Sequence, residues 1–110
     1  MRREPDYGTI TPRELKDRLE RGDRLELLDV REPWEFVAAR IEGSRLIPLG
    51  EMPQRVSELD PHQETVVICH HGTRSAYVTQ SLERSGFERV FNLEGGLDAY
   101  SQADENVPRY

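Results

Sequence analysis

The run Thr65-Val-Val-Ile-Cys69, an apolar β-branched stretch that ends abruptly in the only cysteine of the chain, constrains the fold more than any other segment. Short, bounded and Val/Ile-rich, it has the character of a buried strand. The residues from Cys69 to Arg74 read as a tight loop, and Ser75 onward reads as a helix with Ala76, Tyr77 and Leu82 available to face a sheet. Cys69 then stands at the carboxyl end of a strand, the edge where open α/β sheets place their ligand crevices. In such a loop the backbone N–H groups point inward beside a helix N-terminus, and Gly72 is free to take positive φ. The result is an anion cradle with a thiol at its lip. Inward N–H groups, the helix N-terminus and Arg74 all favour the thiolate, a nucleophile. The same cradle can stabilise a terminal anionic sulfur carried on Cys69 or a bound oxyanion. A lone cysteine closing a Val-Val-Ile strand is by itself only a small buried hydrophobe; the Gly72-Thr-Arg-Ser75 that follows brings the chemistry.

The rest of the chain alternates strand and helix. Residues 1–6 are charged and read as a loose N-terminal segment, and Tyr7 to Ile10 suit a short first strand. Thr11-Pro-Arg-Glu14 has the pattern of a capping box with proline at the first helical position, Leu15 and Leu19 repeat at i, i+4, and Gly22 supplies the stop. Leu25 to Val30 form a second strand, Pro33 to about Arg40 a short helix, and Arg45 to Leu49 a third strand ended by Pro48. Met52, Val56 and Leu59 at helical spacing predict a helix over Glu51 to Leu59. Arg89 to Leu93 form the last strand. Gly95-Gly96 then suits a close backbone approach to the Cys69 loop, Leu97 to Gln102 a terminal helix, and residues 104–110 a tail. This alternation predicts a parallel sheet covered on both faces. Trp34 and Phe36 are expected to pack rather than bind.

Asp29 stands out at the end of an apolar strand, where a carboxylate needs a partner unless it serves as a turn or N-cap residue. Arg31 is placed either to reach the mouth of the pocket and attract an anionic donor or simply to stand in solvent. Within the loop, His70 and His71 hold the positions open to vary, pointing to solvent or tuning the choice of donor.

A length of 110 residues suits one domain. A formal net charge of −6 argues against nucleic-acid and anionic-membrane partners, which select for basic faces. One cysteine permits neither an internal disulfide nor a resolving thiol, so a dithiol mechanism within the chain is excluded. The histidines and cysteine lack a zinc-ligand spacing, and no metal is expected. The first residues lack the apolar run of a signal peptide, which points to the cytoplasm.

Cys69-His-His-Gly-Thr-Arg-Ser75, together with Leu28-Asp-Val-Arg-Glu-Pro-Trp-Glu-Phe36, Ile41-Glu-Gly43, Ile47-Pro48 and Leu93-Glu-Gly-Gly-Leu-Asp-Ala-Tyr100, resembles the single-domain rhodanese-like sulfurtransferases over nearly the whole chain. The resemblance implies one α/β domain over residues 7–103, a five-stranded parallel sheet with helices on both faces. It also implies an Asp29–Arg74 ion pair that fixes the cradle. Sulfur would travel as a transient Cys69 persulfide with no resident cofactor, taken from thiosulfate or a persulfide donor and passed to a thiol, cyanide or a protein acceptor. His70, His71, Gly72, Thr73, Arg74 and Ser75 then form the active-site loop, supported by Asp29 and Arg31. The chain departs from the family at Ala39-Arg40-Ile41, where Gly-His-Ile is usual, a change that loosens or recharges that loop. Tyr100 stands where tryptophan is common. Asn106-Val-Pro-Arg-Tyr110 resembles the end of rhodanese-like domains fused to adenylating enzymes, which points to an alternative role as a persulfide relay for a sulfur-carrier pathway. A phosphatase or arsenate reductase is the remaining alternative; those have five residues between cysteine and arginine where this chain has four, a smaller ring that suits a single terminal sulfur.

Overall fold

The computed structural model describes residues 7–110; the N-terminal segment 1–6 lies outside the described residues. The first strand is confined to Thr9–Ile10 (β1), and Thr11 caps the helix Pro12–Glu20 (α1). Thr11 Oγ1 accepts the Glu14 N–H at 3.1 Å while the Glu14 carboxylate accepts the Thr11 N–H at 2.9 Å, so the capping box is formed. The chain continues through β2 (Glu26–Asp29), α2 (Pro33–Ala38) and β3 (Arg45–Leu46). Next come α3 (Met52–Arg55), β4 (Thr65–Ile68), α4 (Thr73–Arg84), β5 (Val90–Leu93) and α5 (Gly96–Ala103).

The helix expected over residues 51–59 is broken into pieces, with single 3₁₀ turns at Leu49–Glu51 and Val56–Glu58 flanking α3. Pro53 has no N–H to donate, so the helical ladder must restart around it. Met52 and Leu59 are nonetheless buried, so the apolar spacing still faces the core.

All five strands are parallel, in the order β1-β5-β4-β2-β3. Alternation along β4 divides the core in two. Val66 and Ile68 join Leu15 of α1 and Leu97 and Tyr100 of α5 on one face, whereas Val67 and Cys69 join Met52, Val78 and Leu82 on the other. The Cys69 side chain therefore emerges on the α4 side of a fully buried central strand. Tyr77, expected to face the sheet, is 68% exposed, because Val78, Thr79 and Leu82 occupy the buried face of α4. Residues 104–110 pack onto the domain: Val107 joins the α1/α5 core. No helix among the described residues is long and apolar enough to cross a membrane.

Candidate active site

β4 ends at Ile68 and delivers Cys69, which is 1% exposed, into the loop before α4. Gly72 adopts φ +102°, a left-handed conformation that a side chain would strain, and this turn folds the loop back over the sulfur. Cys69 Sγ accepts the Gly72 N–H at 3.0 Å and the Ser75 N–H at 3.3 Å, with Ser75 Oγ at 3.2 Å. The Ser75 hydroxyl also donates to Asn92 Oδ1, and Asn92 Nδ2 donates to the Gly72 carbonyl at 3.2 Å. A hydroxyl has a single proton, so Ser75 can serve a thiolate by turning from Asn92 to the sulfur. From the far side, the Leu97 and Asp98 N–H groups at the start of α5 donate to the Cys69 and His70 carbonyls at 2.8 and 3.0 Å. The paired glycines permit this approach, since a Cβ on Gly96 would collide with both carbonyls.

The ion pairing differs from the one the resemblance implies. Asp29 does not meet Arg74. Residues i and i+2 of an extended chain share a face, and Asp29 takes Arg31 instead: the Arg31 Nε and Nη2 donate at 2.8 and 2.7 Å, with both side chains 0% exposed. Nor does Arg31 reach the pocket mouth. It lies beneath the surface, where it also donates to the Ala39 carbonyl just past the end of α2 and to the Glu35 carbonyl, which already accepts the Ala39 N–H.

Arg74 is held by Glu35, a bidentate pair at 2.7 and 3.0 Å. Tyr110 links the two pairs, accepting from Arg31 at 2.7 Å and donating to Glu35 at 2.8 Å. The Arg74 hydrogen bonds outweigh burial and, with the Glu32 N–H side of the cap and Tyr110, bring the Glu35 carboxyl down to about 2. Burial pushes the Tyr110 phenol up to about 12, so it keeps its proton. A carboxyl depressed on folding stabilises the native state above its unfolded value of 4.5, and that stabilisation disappears as the pH falls through about 2. Glu35→Gln is accordingly expected to destabilise the domain by about 3 kcal/mol at neutral pH. Urea titrations of wild type and variant should converge as the pH approaches that acid range.

The pocket over Cys69 has a volume of about 390 Å³. His70 is half-buried, with Nδ1 unpartnered among the described residues, and burial followed by its neighbour His71 lowers its basicity. His71 and Thr73 are exposed and Arg74 is half-buried. Trp34, expected to pack, is 66% exposed at the pocket wall and meets Tyr110 edge-on at 6.0 Å between ring centroids. The short α2 buries only Glu35, with Ala39 buried just past its end, leaving Trp34 outside. Phe36 is half-buried beneath the Arg40 guanidinium at 4.9 Å. Arg40, where the family has histidine, also donates to the Phe36 carbonyl at 3.1 Å and so caps α2 rather than loosening it. Although sequence spacing suggests no metal ligands, the fold does bring potential ligand atoms of His70, His71 and Asp98 within 4.8 Å of one another. Asp98 is already engaged by Arg109 at 3.6 Å.

Glu35, Asn92, Trp34 and Tyr110 are site residues that the sequence reading did not place there. Only Asn92 left a usable signal: a polar residue within Val90-Phe-Asn-Leu93 must find a partner once buried.

The model of the rhodanese-like domain matches residues 11–103. The chain is 31% identical over 93 residues to a protein named sulfurtransferase from Allochromatium vinosum, covering 84% of this chain and 87% of that one. It is 38% identical over 97 residues to "Probable adenylyltransferase/sulfurtransferase MoeZ" of Mycobacterium tuberculosis, covering 86% of this chain and 25% of that protein. Against a chloroplastic rhodanese-like/PpiC domain protein of Arabidopsis thaliana it spans 31% of the relative's length, so the chain corresponds to a minor part of some of its relatives. Among solved structures, a rhodanese-related protein from Thermoplasma volcanium superposes with a TM-score of 0.84 at 29% identity, covering 93% of this chain and 98% of that one. A parallel five-stranded sheet, a cysteine loop at the carboxyl end of its central strand and a family model spanning almost the entire fold agree, and the chain belongs to the rhodanese-like domain family.

Proposed function

We propose that the chain moves sulfane sulfur by way of a persulfide on Cys69. The observation that carries this reading is the convergence on one sulfur of the Gly72 N–H and the Ser75 N–H, with the Ser75 hydroxyl 3.2 Å away and able to turn to it. These donors stabilise a thiolate without needing a neighbouring free cation. The thiolate attacks the outer sulfur of thiosulfate or of a persulfide donor. A new S–S bond forms on Cys69, the donor's S–S bond breaks, and its electron pair leaves with sulfite or a thiolate. An acceptor thiolate, cyanide or protein acceptor then attacks the outer sulfur of Cys69, and the enzyme thiolate returns. Among the described residues, the N–H groups of His70, His71, Thr73 and Arg74 have no protein acceptor, which supports the reading by leaving them free for a bound anion. Arg74, neutralised by Glu35, orders the loop. The cycle calls for no metal or resident cofactor, and a lone thiol that must regenerate suits a reducing compartment such as the cytoplasm.

Intact mass after treatment with a sulfane-sulfur donor tests this. The expected result is a gain of one sulfur atom that a later thiol rinse removes. Failure to load from any donor while an alkylating agent still labels Cys69 would overturn it, and turnover of a phosphate ester or arsenate would then support the oxyanion alternative.

A second reading places a protein acceptor at the end of the cycle. The likeness to MoeZ, whose name joins an adenylyltransferase to a sulfurtransferase, favours it. In that case turnover should depend sharply on a sulfur-carrier protein, with small acceptors serving only as proxies.

A further inference from the structure

The pocket over Cys69 is short of free charge and rich in rings. Its volume of about 390 Å³ is in the range filled by small organic ligands and far exceeds a thiosulfate ion. Each guanidinium nearby already has a carboxylate: Arg74 is clamped by Glu35, and Arg31 lies buried on Asp29. Arg109, outside the pocket lining, stands 3.6 Å from Asp98. His70 is held toward its neutral form by burial. Among the described residues, a dianion leaving water for this site would find backbone N–H groups but no unpaired cation, and losing its hydration would be poorly compensated.

The walls favour a different guest. Tyr110 is pinned by Arg31 and Glu35, and its ring lies 4.6 Å from that of His70. Trp34 stands edge-on to Tyr110 and 66% exposed, with no place in either core cluster. A large ring held at the mouth of a nucleophile's pocket offers apolar area that only a ligand would cover.

Building on the sulfurtransferase reading, we propose that the sulfane sulfur arrives on an organic hydropersulfide, R–S–SH, in preference to thiosulfate, with an uncharged apolar or aromatic R group packed against Trp34 and Tyr110. The Cys69 thiolate attacks the outer sulfur and forms the new S–S bond. The donor's S–S bond breaks, and its electron pair leaves on R–S⁻. The transferred sulfur brings its proton, which passes to solvent or to the departing thiolate. No external oxidant or reductant is needed.

The test compares second-order loading of Cys69 by benzyl hydropersulfide and by thiosulfate, followed by intact mass. Each rate is divided by that of a small free thiol with the same donor, to remove intrinsic donor reactivity. Wild type should favour benzyl hydropersulfide after this correction. Trp34→Ala, at an exposed position that the fold does not need, should lower the benzyl-to-thiosulfate ratio about tenfold. Val37→Ala, on the same helix and 78% exposed but away from the pocket lining, should leave the ratio unchanged. Equal corrected rates in wild type, or an unchanged ratio in Trp34→Ala, would overturn the donor assignment while leaving the sulfurtransferase reading intact. Loading from neither donor would overturn both.

Discussion

Cys69→Ser is expected to lower sulfur transfer by at least about a thousandfold, because an alcohol offers neither an accessible anion nor an atom that can carry a sulfane sulfur. The fold should survive. The Gly72 and Ser75 N–H groups that point at Sγ can donate equally well to a hydroxyl oxygen, and the change in volume is small. Thermal unfolding should therefore stay within about 1 kcal/mol of wild type, as expected when a buried hydrogen-bonded group is exchanged for one of similar shape. Activity assays and unfolding curves on the same preparation separate the two effects. A serine variant with full transfer activity would end the mechanism.

Asp29→Ala is expected to do the opposite, striking the fold before the chemistry. Among the described residues its carboxylate is the only anionic partner of a guanidinium that is itself 0% exposed. Removing it leaves a buried cation with only neutral acceptors, the Glu35 and Ala39 carbonyls and the Tyr110 hydroxyl. Breaking a buried pair from one side costs about 3–5 kcal/mol, a large part of the roughly 5–15 kcal/mol that holds a domain together. Removing both charges in Asp29→Ala/Arg31→Met should recover only part of the loss, since Arg31 also satisfies the end of α2. Chemical denaturation would show this as a drop in midpoint for the single variant and a partial return for the double. A single variant as stable as wild type would mean that the pair is dispensable.

The outcome at Asp29 shows where sequence reading ran short. The strand, the loop and the cysteine were legible because each is encoded locally: Val66, Val67 and Ile68 for the strand, Gly72 for the turn, Thr11 and Glu14 for the first cap. Partner choice is not local. Whether Arg74 meets Asp29 or Glu35 depends on which face Asp29 presents at the end of β2 and on how α2 enters after Pro33. Arg31, two residues along the same extended chain, claims Asp29 first. Trp34 was misread for a related reason: apolar character says that a side chain can be buried, but only the position of α2 decides which of its neighbours is. Tyr110 reaches the site from 75 residues beyond Glu35, a separation that no local pattern reports.

That reach bears on how the protein comes into being. β1 pairs with β5, the first strand with the last, and the cradle around Cys69 is closed by Asn92, by the first turn of α5 and, through Glu35, by Tyr110. Contacts so distant along the chain place the domain among slow folders, because long loops must close before any contact rewards them. During synthesis, then, Cys69 leaves the ribosome well before the donors from its own helix can be locked in place by β5. The nascent thiol lacks this cradle, which is completed only in the closing step of folding. If Cys69 carries sulfur as proposed, an unfinished chain lacks the means to hold it.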